Sequence, residues 1–248
     1  MMDAETRRKL REIGVPELAD ALDLVDGDPS YAALPPQDRL RTAVDHAWQA
    51  KYNASVRKLL GRAHLRIPEA DISGVIYEGR PLDRDRILSL GTCGFVDTAT
   101  DIIIEGFTGT GKSYLACALA KQACKHRIGA LYVRLPDVFM YRDEWTRAGK
   151  GEDALLRKYE KFRVLVLDEW LIDPLTADQV RFLFELVERR CDRSSNILCT
   201  QYPVPDWHGR LGGGVHADSI MDRIVHNAVR LETGKVNMRE ATAPRFGA

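Results

Sequence analysis

Gly106-Phe107-Thr108-Gly109-Thr110-Gly111-Lys112-Ser113 fits the pattern Gly-x-x-x-x-Gly-Lys-[Ser/Thr], with the β-branched run Asp101-Ile102-Ile103-Ile104-Glu105 before it and the apolar segment Tyr114 to Cys124 after it. A strand, a glycine-rich loop and a helix in that order make a cradle for phosphate. The glycines let successive backbone N–H groups turn onto phosphate oxygens, and a helix starting near Lys112 adds the positive end of its dipole. In such a loop Lys112 reaches the β- and γ-phosphates of ATP and Ser113 holds Mg²⁺. Gly106, Thr108, Gly109, Thr110, Gly111 and Tyr114 complete the expected nucleotide-binding set.

Downstream of the loop, strand and helix patterns alternate. Ala130-Leu131-Tyr132-Val133 reads as a strand, and Pro136 to Arg147 as a helix stopped by Gly149. Val164-Leu165-Val166-Leu167 reads as a fully buried strand. Thr176-Ala177-Asp178-Gln179 is a capping box ahead of the stripe Val180, Leu183, Phe184 and Val187. Asn196 to Thr200 and Ala228 to Leu231 supply two more strands. This alternation predicts an α/β fold, a parallel sheet with helices on both faces.

The strand at Val164 runs directly into Asp168-Glu169. An aspartate at the end of a buried strand can coordinate Mg²⁺, and an adjacent glutamate can polarise the water that attacks the γ-phosphate. That pairing favours hydrolysis over the acceptor-pocket chemistry of a small-molecule kinase. At the end of the next strand, Gln201, with Thr200 as second choice, is positioned to hydrogen-bond the γ-phosphate or the attacking water. A positive charge opposite the leaving group is also required, often an arginine from another subunit. Arg223, on the apparent helix Ala217 to His226, is the candidate, with Arg210 and Arg230 as alternatives. His208, His216 and His226 lack the spacing of a metal set and read as structural.

The N-terminal part reads as helices: Arg7 to Ile13, Pro16 to Val25, and a longer one from Pro36. Along the last, Leu40, Val44, Ala47 and Trp48, then Val56, Leu59, Leu60 and Ala63, form an apolar stripe, with a break expected near Asn53. Segment 67–83 reads as a linker or an approach to the sheet, and Arg84 to Leu90 as a short helix beside the nucleotide. The expected organisation is a helical domain over 1–70, an ATPase domain over 71–240 and a loose tail over 241–248.

Lys+Arg and Asp+Glu both number 36, so a nucleic-acid surface must come from local segregation rather than overall charge. Between Arg39 and Arg66 stand seven basic residues, including Arg57, Lys58 and Arg62, against the single acid Asp45. These three, or Arg142, Arg147 and Lys150, are the candidate contacts to duplex DNA. No stretch approaches the ~20 apolar residues of a membrane span. The odd count of five cysteines, without a Cys-x-x-Cys pair, suits a reducing compartment, so a cytoplasmic protein is expected.

Taken together, the P-loop with Tyr114-Leu115-Ala116-Cys117-Ala118-Leu119, the strand Val164 to Glu169, and Asp206-Trp207-His208 leading to Ala217-Asp218-Ser219-Ile220-Met221-Asp222-Arg223-Ile224-Val225-His226 resemble the IstB-like ATP-binding proteins of bacterial insertion sequences. Asp28-Pro29-Ser30-Tyr31 and the basic segment after it are similar too. The resemblance implies an AAA+ ATPase, close to the bacterial helicase loaders, that forms ATP-dependent homo-oligomers, binds and remodels target DNA and assists a transposase of the same element. It implies nucleotide and Mg²⁺ binding for Lys112 and Ser113, the hydrolytic pair for Asp168 and Glu169, and a finger in trans for Arg223. Gln201 stands where AAA+ proteins commonly carry asparagine. Only 25 residues follow Arg223, too few for the helical lid of many AAA+ proteins. A helicase loader is the neighbouring alternative, to be told apart by its partner, and a P-loop kinase the more distant one.

Overall fold

Five parallel strands, β1 (Asp101–Glu105), β2 (Ala130–Arg134), β3 (Val164–Asp168), β4 (Ser195–Thr200) and β5 (Ala228–Glu232), line up in the order β2-β3-β4-β1-β5. The structure, a computed structural model, describes residues 2–241; all but the first residue of the tail read over 241–248 lies outside them. The chain folds as two compact units, Met1–Lys58 and Leu59–Ala248.

The first unit contains α1 (Ala4–Glu12), α2 (Pro16–Gly27) and most of α3 (Pro36–Ala63). Asp3 caps α1 by accepting from Thr6 N–H at 2.9 Å, and Pro16 opens α2 at its first turn. The unit's small core joins Ala21, Val25 and Ala43, with Ala47 against them. This corrects the expected stripe: Leu40, Val44 and Trp48 are exposed, and the small residues of α3 face inward instead, where close approach of a neighbouring helix needs them. Nor does α3 break near Asn53; it is one helix of 28 residues. The unit boundary falls inside it, ahead of residue 70, because Leu59, Leu60 and Ala63 already belong to the core of the second unit.

In the second unit the period-two alternation of the strands sorts their side chains onto two faces. Ile102, Ile104, Val164, Val166, Ile197 and Cys199 pack on one side, against α6 (Lys112–Lys125), α4 (Arg84–Gly91) and α5 (Gly94–Asp97). Ile103, Leu165, Leu167 and Leu198 pack on the other, under α7 (Leu135–Arg147), α8 (Glu152–Glu160), α9 (Ala177–Arg190), α10 (Val204–Arg210) and α11 (Gly214–Val225). The expected α/β fold with helices on both faces is thus the fold observed. A last short helix, α12 (Met238–Ala241), follows β5.

Several local readings change. Segment 67–83 packs rather than links: Ala70, Ile72, Val75 and Leu82 are buried in the same cluster as α6. Helix α4 forms where expected but buries Ile87 and Leu90 in that cluster and lines neither cavity at the P-loop. Helix α8, which sequence reading passed over, buries Leu155, Leu156 and Tyr159. Beneath the strands' N-terminal ends, Arg190 is 1% exposed and donates to Asn196 Oδ1 and to the carbonyls of Tyr159, Phe162 and Ser195 at 2.7–2.9 Å. Asn196 in turn donates to Asp101 through its backbone N–H and its side chain at 2.6 and 3.0 Å, so β1, β4, α8 and α9 share one buried polar network. Among the described residues no helix is long and apolar enough to cross a membrane.

Candidate functional site

In a parallel sheet the loops after the strands open at one edge, and ligand sites collect there. Register places Glu105 beside Thr200 and Arg134 beside Asp168, so the ends of β1, β2, β3 and β4 converge.

The loop after β1 is held from both sides. Gly106 N–H donates to Thr200 O at 3.2 Å, and Met238 N–H donates to Gly109 O at 2.8 Å. A Cβ on Gly106 would lie 2.0 Å from Thr233 Oγ1, so glycine is the residue that fits. Buried Thr110 meets Thr233 hydroxyl to hydroxyl at 2.6 Å. Gly111, at φ +86°, turns the chain into α6 through the left-handed region. Lys112 Nζ donates to Gly106 O and Phe107 O at 2.7 and 2.8 Å, placing its ammonium in the loop's concavity, where burial lowers its pKa.

Opposite the loop, Asp168 Oδ2 accepts from Ser113 Oγ at 2.6 Å and from Tyr132 OH at 2.5 Å. A serine hydroxyl and a carboxylate this close are a hard-oxygen pair of the kind that would suit Mg²⁺. Glu169 follows at φ +57°, a left-handed position that turns its side chain away from the strand's alternation. Its two oxygens are shared between arginines: Arg66 Nη1 lies 3.5 Å from Oε1, and Arg134 Nη1 lies 3.4 Å from Oε2. Arg66 Nη1 is also 3.7 Å from Asp168 Oδ2. Gln201 Oε1 accepts from Thr108 Oγ1 at 2.8 Å, whereas Thr200 is tied to the Tyr202 backbone, which leaves Gln201 the side chain facing the site.

Lys112, Ser113, Asp168, Glu169 and Gln201 line one cavity of about 110 Å³. It adjoins a more apolar one of about 350 Å³, walled by Ile67, Val75, Ile76, Tyr114 and Leu115. Tyr114 OH is bonded to the Asp71 backbone, and Lys125 pairs with the Asp71 carboxylate at 2.7 Å, holding that carboxyl well below the usual range. Arg80 donates to Thr110 O at 2.6 Å and to Ile76 O at 2.8 Å, tying this wall to the P-loop. These residues of 67–83 escaped sequence reading. The signal that could have found them is the apolar series Ile67, Ala70, Ile72 and Val75 between turn residues.

Other candidates lie elsewhere. Arg223 pairs with Glu188 of α9 at 2.5 Å and sits over the Phe184 ring; it lines neither cavity. Arg210 is committed to the carbonyls of Leu171 and Ile172. Arg142 has a side chain only 12% exposed, surrounded by Asp143, Glu152 and Asp178, so it holds helices together and is withdrawn from the DNA-contact set. Arg147 and Lys150 are exposed beyond it, and Arg57, Lys58 and Arg62 are exposed on α3. Arg66, counted with that basic run, faces the carboxylates instead. Trp170 and Trp207 are fully buried against each other, with ring centroids 5.5 Å apart.

A family profile described as IstB-like ATP binding protein matches residues 8–244. A putative insertion sequence ATP-binding protein of Sinorhizobium fredii, y4pL, is 32% identical over 244 residues, covering 96% of this chain and 97% of its own length. The putative ATP-binding protein of insertion sequence IS1162 from Pseudomonas fluorescens is 28% identical over 82% of this chain and 88% of its own. Among solved structures, DnaI superposes with TM-score 0.54 at 19% identity, over 74% of this chain and 93% of that one. The DnaC helicase loader gives 0.55 at 21% identity, over 66% and 96%. At such identities the likeness speaks for the fold alone, a parallel α/β sheet with a P-loop.

Proposed function

Because the chain belongs to the IstB-like ATP-binding protein family, we propose that it is an ATPase that assembles with ATP on duplex DNA and assists the transposase of its insertion sequence in the cytoplasm. The observation that carries the reading is the meeting of Lys112, Ser113, Asp168, Glu169 and Gln201 in one cavity beside an apolar pocket able to take a base. Lys112 and the loop N–H groups neutralise the triphosphate. Ser113 and Asp168 hold Mg²⁺, which supplies charge stabilisation at the phosphates. Glu169 accepts a proton from the attacking water, and Gln201 orients that water or reads the γ-phosphate.

The chain's own P-loop cavities contain no Arg223, so that residue acts, in this reading, on a neighbouring subunit. To do so it exchanges the Glu188 carboxylate for the γ-phosphate, one anionic partner for another. ATP therefore sits between protomers, and its hydrolysis loosens them. Exposed Arg57, Lys58, Arg62, Arg147 and Lys150 are the proposed contacts to DNA phosphates.

Glu169→Gln keeps the shape of the side chain and removes the base. Phosphate release is expected to fall by about 10²–10⁴-fold, while ATP-dependent assemblies on duplex DNA persist in light scattering. Unchanged turnover, or a chain that stays monomeric with ATP and DNA, would refute the reading.

A further inference from the structure

Next to the nucleotide site lies a cavity of about 530 Å³ that phosphoryl chemistry leaves unused. Its back wall is β2, the edge strand of the sheet, and its facing wall carries Tyr141 of α7 with Lys158 and Tyr159 of α8. Three basic side chains, Arg66, Arg134 and Lys158, line it with one carboxylate, Asp137, which accepts from Arg134 at 2.6 and 2.9 Å. The cations keep water-exposed surface, so the cavity can be entered. Tyr159 is different: it is 1% exposed, and among the described residues its hydroxyl has no hydrogen-bond partner. A buried hydroxyl left unpaired costs about 1–3 kcal/mol, a cost relieved when a ligand oxygen accepts from it.

The geometry points to this cavity as a binding site for a phosphate group, free or carried in a nucleic-acid backbone. Guanidinium groups match phosphate oxygens in a planar fork, the lysine adds a point charge, and the phenol supplies a neutral donor. A carboxylate ligand would satisfy fewer of these donors. Arg66 and Arg134 also hold Glu169 at 3.5 and 3.4 Å, so a phosphate in the cavity competes with Glu169 for both. The site rests on the DNA-binding reading only for the source of its phosphate.

The test uses the full chain with its P-loop filled by Mg²⁺ and a non-hydrolysable ATP analogue. Inorganic phosphate is titrated by calorimetry and a short duplex by fluorescence anisotropy, for wild type, Lys158→Glu and Tyr159→Phe. Lys158→Glu should keep the wild-type melting transition and Tyr159→Phe should melt at or above it, both with basal turnover unchanged, since neither residue touches the nucleotide cavity. If DNA supplies the phosphate, Lys158→Glu weakens the duplex at least about 10-fold and lowers the salt slope by about one, with a smaller loss for Tyr159→Phe. If free phosphate is the ligand, its binding is lost in both variants while duplex affinity stays. The inference is overturned if wild type takes up no phosphate and both variants bind duplex as wild type does. Wild type that binds phosphate here but no duplex at all would sink the DNA reading and leave this site standing.

Discussion

Asp101 accepts two hydrogen bonds from Asn196 and lies near the Arg190 guanidinium, yet burial dominates and pushes its carboxyl up to about 7. Unfolded, the same group releases its proton near pH ~3.9. Between those two values the folded chain binds more protons than the unfolded one, so this group makes stability fall as pH rises from about 4 to about 7 and contributes no further slope above that. Asp101→Asn preserves the shape and removes the titration. Its melting temperature plotted against pH should be flatter than wild type across that window; an identical slope would contradict the account. Nothing in the sequence announced this residue, because its partner Asn196 is 95 positions away and only the sheet brings them together. Lys112, Asp168 and Glu169 were legible for the opposite reason. Each belongs to a short motif whose chemistry needs fixed neighbours in the chain, whereas Arg66 and Arg134 reach Glu169 only through tertiary placement.

The P-loop is an element defined by what presses on it. Gly106→Ala would drive a methyl group against Thr233 Oγ1, and the loop can yield only by moving the N–H groups that face phosphate. Nucleotide affinity is expected to fall at least about 10-fold, or about 1.4 kcal/mol. Adding Thr233→Ala, which removes the obstructing hydroxyl, should restore part of it. Equal affinity for wild type and Gly106→Ala in a nucleotide titration would mean that the loop has slack despite its close packing. The strands were readable because apolar runs of four or five residues between helical patterns are too short to be helices and too apolar to be loops. Helix α8 was not, since Gly151 starts it without a side-chain cap and only Leu155, Leu156 and Tyr159 mark its buried face. The wall built from 67–83 was missed because turn residues interrupt every periodicity there, although its apolar side chains pack as firmly as those of a helix.

At the scale of the whole molecule, equal numbers of acids and bases make any DNA affinity a matter of where charge is placed. If Arg57, Lys58 and Arg62 contact phosphates, the logarithm of affinity should fall linearly with the logarithm of salt concentration, and Lys58→Ala should lower the slope by about one without altering sequence preference. A slope unaffected by Lys58→Ala would move the interface to Arg147 and Lys150 or elsewhere. The segment after β5 carries a different consequence. Thr233 and Met238 tether it to the P-loop, while Lys235 between them stays exposed, 5.9 Å from the Phe107 ring. A trypsin-sensitive bond therefore lies on the strap that fastens the triphosphate cradle. If ATP tightens that strap, its rate of cleavage should slow, and would then serve as a label-free gauge of nucleotide occupancy.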